Sequence, residues 1–137
     1  MRVFSKLICA LVMVAGFAGE VAAKPAIYTC NIPGERQSSL IQPQVILSYD
    51  DQTKQVFVSD AVILSMLGKP LAGKMISDNA LRVVFGWTLK NVVNAEGKTA
   101  TLQFKGSYFK ADAKFLISLM PLGYSNSFQN RGSCSVK

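Results

Sequence analysis

The sequence predicts an all-β protein, a small antiparallel up-and-down β-barrel of about eight strands with at most one short helix, after a cleaved N-terminal signal peptide. Three observations predict this fold. Apolar residues recur at every second position over most of the chain, which is the period of strands. The links between these runs have hairpin length. Cys30 and Cys134 lie near the two ends, where the first and last strands of a closed barrel adjoin.

The first element is a secretory leader at residues 1–23. Two basic residues precede the apolar run 7–18, and small residues at 21–23 form a cleavage signature. The run has about a dozen residues, too few for the roughly 20 that span a bilayer. We therefore expect residues 24–137 to form a single domain that is secreted or periplasmic and not transmembrane.

The cysteine positions predict one disulfide. Cys9 lies inside the leader and is removed with it, so Cys30 and Cys134 remain. Because exported compartments are oxidising, we expect these two to be bonded, with Cα atoms about 4.4–6.8 Å apart. The bond would join the first strand to the last and add about 4–5 kcal/mol of stability by closing a long loop.

Strand patterns of varying strength run along the domain. The weaker ones lie at 26–32, 44–49, 55–59, 72–77 and 132–136. Segment 60–68 fits two structures: its apolar residues have the spacing of a helical turn, while its β-branched residues suit an extension of the preceding strand.

The two clearest strands, over 82–90 and 101–108, also predict their register. If Asn94 pairs with Gly97 across the turn, Lys90 lies opposite Thr101 and every large apolar residue falls on one face. A slip by one residue would place Trp87 opposite Gln103, so the pattern selects a single pairing. The predicted pairs are Val83 with Tyr108, Phe85 with Gly106, Trp87 with Phe104, and Leu89 with Leu102.

The following turn at 110–113 predicts a second register. It sets Tyr108 against Phe115, Gly106 against Ile117 and Phe104 against Leu119. Gly106 then lies between two bulky neighbours, Phe85 and Ile117. A glycine at such a place allows a sheet to curl tightly, which favours closure into a barrel.

The composition argues against catalysis. The chain has no histidine, which removes the most common general base and metal ligand. A disulfide would leave no thiolate, and adjacent carboxylates such as Asp50 and Asp51 point to opposite sides of a strand or shape a turn. No phosphate-binding glycine loop is present. We therefore expect a protein that is not an enzyme and has no metal site and no cofactor.

The charge leaves two interpretations open. The whole chain carries +7, and Arg2, Lys6 and Glu20 leave +6 on residues 24–137. Such a surface favours either solubility or an anionic partner. Basic residues occur singly and no aromatic-basic motif appears, so we expect no nucleic-acid partner. A basic envelope-associated protein that binds anionic lipid or polysaccharide is the alternative function that the charge predicts.

Two groups of residues are candidates for binding. The long segment 121–131 mixes aromatic, amide and arginine side chains, a composition typical of polar recognition loops; its candidate binding residues are Tyr124, Asn126, Phe128, Asn130 and Arg131. The alternative is that Tyr124 and Phe128 fold inward and plug the barrel end. The second group is an outward apolar patch, which is either an interface or the underside of segment 60–68; it comprises Val84, Phe109, Leu116 and Met120.

A resemblance supports a binding role. Tyr28-Thr29-Cys30 at the start of the domain and Gly132-Ser133-Cys134 near its end resemble small secreted bacterial β-barrel proteins. The segment Pro-Leu-Gly-Tyr-Ser-Asn at 121–126 resembles secreted proteobacterial proteins for which no function is implied. Among named families, the pattern is similar to the periplasmic inhibitors of C-type lysozyme, which are disulfide-linked barrels with a similar Tyr-x-Cys start. The chain departs from that family in its positive charge and in having no serine-glycine-lysine inhibitory segment. The resemblance implies a non-catalytic binding or inhibitor-like module, whose partner would be an envelope protein or a small ligand.

Overall fold

The computed structural model describes Gly16 and residues 24–137; the rest of the predicted leader lies outside the described residues. Each strand pairs antiparallel with the next, and β1 pairs with β8, so that the sheet closes into a barrel. The predicted all-β up-and-down barrel with one short helix is confirmed. Its elements are β1 (Ala26–Asn31), β2 (Gln44–Tyr49), β3 (Val56–Ser59), α1 (Ala61–Leu67), β4 (Leu71–Asp78), β5 (Arg82–Val93), β6 (Thr99–Phe109), β7 (Lys114–Pro121) and β8 (Phe128–Val136).

The alternating direction of the strands defines two ends of the barrel. We call the end at which β1, β3, β5 and β7 finish the upper end, and the opposite end the lower end. The connection 32–43, α1 and the turns 94–98 and 122–127 lie at the upper end. Within the described part of the chain, no helix is long and apolar enough to cross a membrane.

Segment 60–68 is helical, so the strand interpretation is wrong. The Asp60 side chain accepts a hydrogen bond from the Ile63 N–H at 2.8 Å, which caps the first turn. Gly68 ends the helix in the left-handed region, at φ 68°, where glycine has no steric cost. Ile63 is buried in the same core cluster as Ile32 and Ile41 from the connection 32–43, and these three side chains close the upper end.

Both predicted registers are confirmed along most of their length. Trp87 pairs with Phe104 and Gly106 lies between Phe85 and Ile117, as predicted. The register shifts by one residue near the turn, because Asn91 adopts a positive φ of 60° and forms a bulge. The Asn94 N–H consequently donates to the Lys98 carbonyl, so the predicted pairing of Asn94 with Gly97 is wrong there.

Side chains fill the barrel interior around an aromatic centre. The rings of Tyr28 and Phe85 meet edge to face with centroids 5.2 Å apart, and Trp87 stacks on Phe104 at 5.4 Å. Trp87 is the single tryptophan of the chain and is buried. Its Nε1 has no hydrogen-bond partner among the described residues. Trp87 therefore reports directly on the packing of the core.

The Cys30–Cys134 disulfide is present and joins β1 to β8. The Cα atoms are 4.0 Å apart, closer than the predicted range. The two cysteines lie directly opposite each other, and the hydrogen bonds exchanged by Ile27 and Lys137 make Cys30 and Cys134 a non-hydrogen-bonded pair. Strands approach most closely at such pairs, with Cα atoms about 4.5 Å apart, which explains the short separation.

Candidate functional site

The predicted binding loop is shorter in the structure than in the sequence interpretation. Segment 121–131 contains a connection at 122–127, and the residues from Phe128 onward belong to β8. Phe128, Asn130 and Arg131 are therefore strand residues, because each of them pairs with a residue of β7. Alternation along β8 sends Phe128 and Asn130 to one side of the sheet and Arg131 to the other.

Tyr124, Asn126 and Phe128 do share one site, a cleft of about 480 Å³ at the upper end that we call the upper cleft. None of the side chains that line it is charged. Three separate segments form its walls: Ser39 and Leu40 from the connection 32–43; Val92, Val93, Asn94, Ala95, Ala100 and Leu102 from the β5–β6 hairpin; and Pro121, Tyr124, Asn126 and Phe128 from the β7–β8 connection.

The aromatic residues of the upper cleft have different roles. Phe128 is half-buried and packs against the core, as the plug interpretation expects. Tyr124 is 60% exposed and does not plug the barrel. Val93, which is 64% exposed, and Leu122 are further apolar side chains open to solvent at this end. The cleft therefore has an apolar floor and an apolar rim.

Asn130 holds one wall of the upper cleft in place. Its Oδ1 accepts from the Gln37 N–H at 2.9 Å, and its Nδ2 donates to the Glu35 carbonyl at 3.2 Å. The Gln129 N–H returns a bond of 2.9 Å to Gln37 Oε1. Because both polar groups of the Asn130 amide are used within the protein, Asn130 is a positioning residue and not a ligand contact.

The hairpin wall is fixed in a similar way by Asn94. Its Oδ1 accepts from the N–H groups of Glu96 at 3.0 Å and of Lys98 at 2.9 Å. The third wall is tied to β6, since the Leu122 N–H donates to the Thr101 carbonyl at 2.9 Å. Sequence reasoning missed the hairpin wall, although the turn composition around Asn94 was the signal for it.

The predicted apolar patch is not one surface. Val84 is only 4% exposed, and Met120, at 46%, lies beside Thr88 and Gln103 in a separate shallow groove. The row of paired residues that contains Lys105 lies between Met120 and the other three residues of the predicted patch. The helix does not cover the patch either, because α1 packs against β3. Residues on one face of a sheet need not be neighbours, since every second position along a strand is about 6.6 Å further on.

Phe109 and Leu116 instead line a groove of about 650 Å³ toward the lower end, which we call the lower groove. Arg131, assigned from sequence to the loop, also lines it. The remaining lining residues are Asn79, Leu81, Arg82, Ala111, Asp112, Lys114, Phe115 and Gly132. Sequence reasoning missed Leu81, Arg82 and Lys114, although the predicted register already implied that Arg82 faces Phe109.

One carboxyl group near the upper end is perturbed. Burial raises the pKa of Asp60 above its ordinary value, and hydrogen bonds from the Ile63 and Val62 backbone N–H groups oppose the shift. This carboxyl caps α1, which is a structural use. Among the residues that the structure describes, no three cysteine, aspartate or glutamate side chains are grouped so that they could hold a metal ion.

The two surfaces differ in chemistry. The upper cleft offers apolar contact with hydroxyl and amide groups, and the lower groove offers apolar contact with cations. Comparison with known proteins adds no relative: the chain matches no protein-family model, no curated protein and no solved structure.

Proposed function

We propose that this protein is a secreted or periplasmic, non-catalytic and inhibitor-like binding module that recognises an envelope protein through the upper cleft. The observation that carries the proposal is an uncharged, largely apolar cleft, rimmed by exposed Val93 and Tyr124, on a domain whose net charge is +6. Concentrated apolar surface that is left exposed on a charged protein marks an interaction site.

The chemistry of the upper cleft favours an uncharged, apolar group as its occupant. Its volume of about 480 Å³ lies within the range of about 300–1,000 Å³ that ligand pockets have. Ser39 and Asn126 supply neutral donors and acceptors around this group. A large apolar side chain from a partner protein meets these requirements, and Tyr124 would pack against it as a hot-spot residue.

The rigidity of the walls supports binding as the use of this cleft. Asn130 fixes the connection 32–43, and Asn94 fixes the β5–β6 hairpin before any partner arrives. Binding to walls that are already ordered avoids the entropy cost of ordering loops on association. Loops held on a stable barrel are the usual arrangement for recognition.

The disulfide and the predicted leader support the proposed compartment. A bond between Cys30 and Cys134 is compatible with an extracytoplasmic location, because thiols of cytosolic proteins are kept reduced. The leader at 1–23 would direct the chain there. Partners are therefore sought among envelope proteins.

A capture experiment tests the proposal. The wild-type protein, Tyr124→Ala and Phe57→Ala would each be immobilised and exposed to periplasmic extract, and retained proteins would be quantified by mass spectrometry. Phe57→Ala is the matched control, because Phe57 is an exposed aromatic residue on β3 outside the upper cleft. We expect one envelope protein to be retained by wild type and Phe57→Ala and lost with Tyr124→Ala. Equal retention by all three proteins would contradict the assignment.

A small apolar ligand is the other occupant that the cleft would admit. Native mass spectrometry of protein isolated from the envelope would detect it as an added mass that Tyr124→Ala reduces. The second function predicted from sequence, binding of anionic lipid or polysaccharide by a basic envelope-associated protein, draws support from a different observation, the cationic side chains that line the lower groove.

A further inference from the structure

We propose that the lower groove binds a single-chain anionic amphiphile, with the apolar chain on the groove floor and a phosphate or carboxylate headgroup beside Arg131 and Lys114. This site lies away from the upper cleft and does not depend on the function proposed there. Two features of the groove indicate such a ligand: the order of side chains across the outer surface of β5 to β8, and the positive charge on its two sides.

The strand register gives that order. Arg131 pairs with Leu116 across β7 and β8, and Phe109 pairs with Arg82 across β5 and β6. Leu116 also pairs with Ser107, two residues along β6 from Phe109. An apolar strip of Leu116 and Phe109 therefore runs between Arg131 on one side and Arg82 on the other.

Two cations lie together at the β7–β8 side. Lys114 pairs with Ser133, two residues along β8 from Arg131, which makes Lys114 and Arg131 diagonal neighbours on the outer face, with Cα atoms about 7–8 Å apart. Within the described part of the chain, neither Arg131 nor Arg82 forms a salt bridge. Arg131 is thus available for the paired hydrogen bonds that guanidinium makes to phosphate or carboxylate.

Asp112 offsets one of the three positive charges that line the lower groove, those of Arg82, Lys114 and Arg131. Its Oδ2 lies 3.9 Å from Lys114 Nζ, and both side chains are largely exposed. Exposed ion pairs of this kind contribute little to the stability of a protein. The walls of the lower groove therefore have an excess of positive charge, in contrast to the uncharged upper cleft.

The shape of the groove favours one chain over a flat membrane surface. Phe109 and Leu116 are half-buried within a groove of about 650 Å³, where a narrow acyl chain can contact them. Leu81 lies at the far side, next to Arg82, and is 76% exposed. A chain anchored at Arg131 would cross Leu116 and Phe109 and cover Leu81, which removes the most exposed apolar side chain of this face from water.

Titration with a defined amphiphile tests the proposal. Dodecyl phosphate, kept below its critical micelle concentration, would be titrated calorimetrically into the folded protein, with dodecyltrimethylammonium and inorganic phosphate as probes that each lack one feature. We expect one dodecyl phosphate per protein and much weaker binding of the other two. Arg131→Gln should weaken binding about tenfold, and Leu81→Ser several-fold, while Arg82→Gln should have less effect than Arg131→Gln.

Lys90→Gln is the matched control, because Lys90 is an exposed cation on β5 that does not line the groove. Lys90→Gln removes the same charge as Arg131→Gln and should leave the affinity for dodecyl phosphate unchanged. Trp87 fluorescence would verify that each variant is folded. Equal loss with Lys90→Gln and Arg131→Gln would show general charge attraction and overturn the proposal. Equal affinity for dodecyltrimethylammonium and dodecyl phosphate would also overturn the proposal. So would a protein that sediments with anionic vesicles but does not bind monomeric dodecyl phosphate.

Discussion

The backbone carbonyl of Asn31 fills the space that a side chain at Gly132 would need. A Cβ at Gly132 would overlap that carbonyl oxygen and would lie 3.1 Å from Cα of Ile32. Glycine at this position allows β1 to cross close to β8 just above the disulfide, so that Ile32 can turn inward and close the upper end. The Gly-x-Cys tripeptide is thus explained by closure of the barrel.

We predict that Gly132→Ala destabilises the protein by about 3 kcal/mol or more, because overpacking against backbone cannot be relieved by a change of rotamer. Urea unfolding followed by Trp87 fluorescence measures the effect. Ser133→Ala, at the exposed neighbouring position, is the control and should change the free energy of unfolding by less than about 0.5 kcal/mol. Similar stability of the two variants would show that β1 and β8 are not in such close contact.

A side chain at Gly106 would meet side-chain atoms, which can move more easily than the backbone atoms beside Gly132. A Cβ there would lie 2.6 Å from Cζ of Phe115 and 3.3 Å from Cζ3 of Trp87, and both atoms belong to side chains. We predict that Gly106→Ala costs about 1–3 kcal/mol. Combining it with Phe115→Leu should cost less than the sum of the two single changes, because the smaller side chain makes room for the new methyl group. Strict additivity in the double-mutant cycle would contradict this packing.

The central hairpins could be predicted from sequence to the level of individual pairs. Trp87, Phe104 and Leu119 follow one another across three strands because only one register buries all the large apolar residues. The register failed near Asn91, since a bulge depends on the local backbone conformation of one residue and leaves no mark on the alternation.

The candidate sites could be predicted only in part, because a site depends on how strands are placed side by side. Arg131 and Leu116 were assigned from sequence to different surfaces, and the structure brings them together. That pairing needs the start of β8 at Phe128, which the polar residues 125–127 obscure. Tyr124 and Asn126, which are close in sequence, do line the same cleft.

Asn130 offers a test of how the upper cleft is held. We predict that Asn130→Ala costs about 1–2 kcal/mol and speeds hydrogen exchange of the Gln37 amide, which loses its acceptor. Gln129→Ala is a close control, because Gln129 donates through its backbone N–H and keeps that bond. Unchanged protection of Gln37 in Asn130→Ala would show that the wall is held by other contacts. Capture of the upper-cleft partner should weaken in Asn130→Ala only.

The disulfide should contribute to stability and little to binding. The bond links residues separated by 104 positions, and loop-closure entropy for about 100 residues gives about 4.7 kcal/mol as an upper expectation. Reduction should therefore lower the unfolding midpoint markedly, while folded, reduced protein still binds dodecyl phosphate. A thiol assay on the native domain that detects two reactive sulfhydryls would contradict the bond and the adjacency of β1 and β8.

Asp60 makes the free energy of unfolding depend on pH, and its burial sets the direction of this dependence. Its pKa in the folded protein is raised above the ordinary value of 3.8. Well below pH 3.8 the carboxyl is protonated in both the folded and the unfolded chain. As the pH rises through the folded pKa, the unfolded chain releases its proton first, so the folded state loses stability relative to the unfolded state.

The substitution Asp60→Asn removes this titration and keeps an oxygen that can accept from the Ile63 N–H. We therefore predict that Asp60→Asn gains stability relative to wild type as the pH rises from 3 to 7, measured by urea unfolding at each pH. Asp60→Ala separates the cap from the charge: it loses the acceptor and should cost about 0.5–2 kcal/mol at low pH, where the wild-type carboxyl is neutral. A stability difference between wild type and Asp60→Asn that is constant with pH would mean that this carboxyl is better solvated than its place beneath the first turn of α1 indicates.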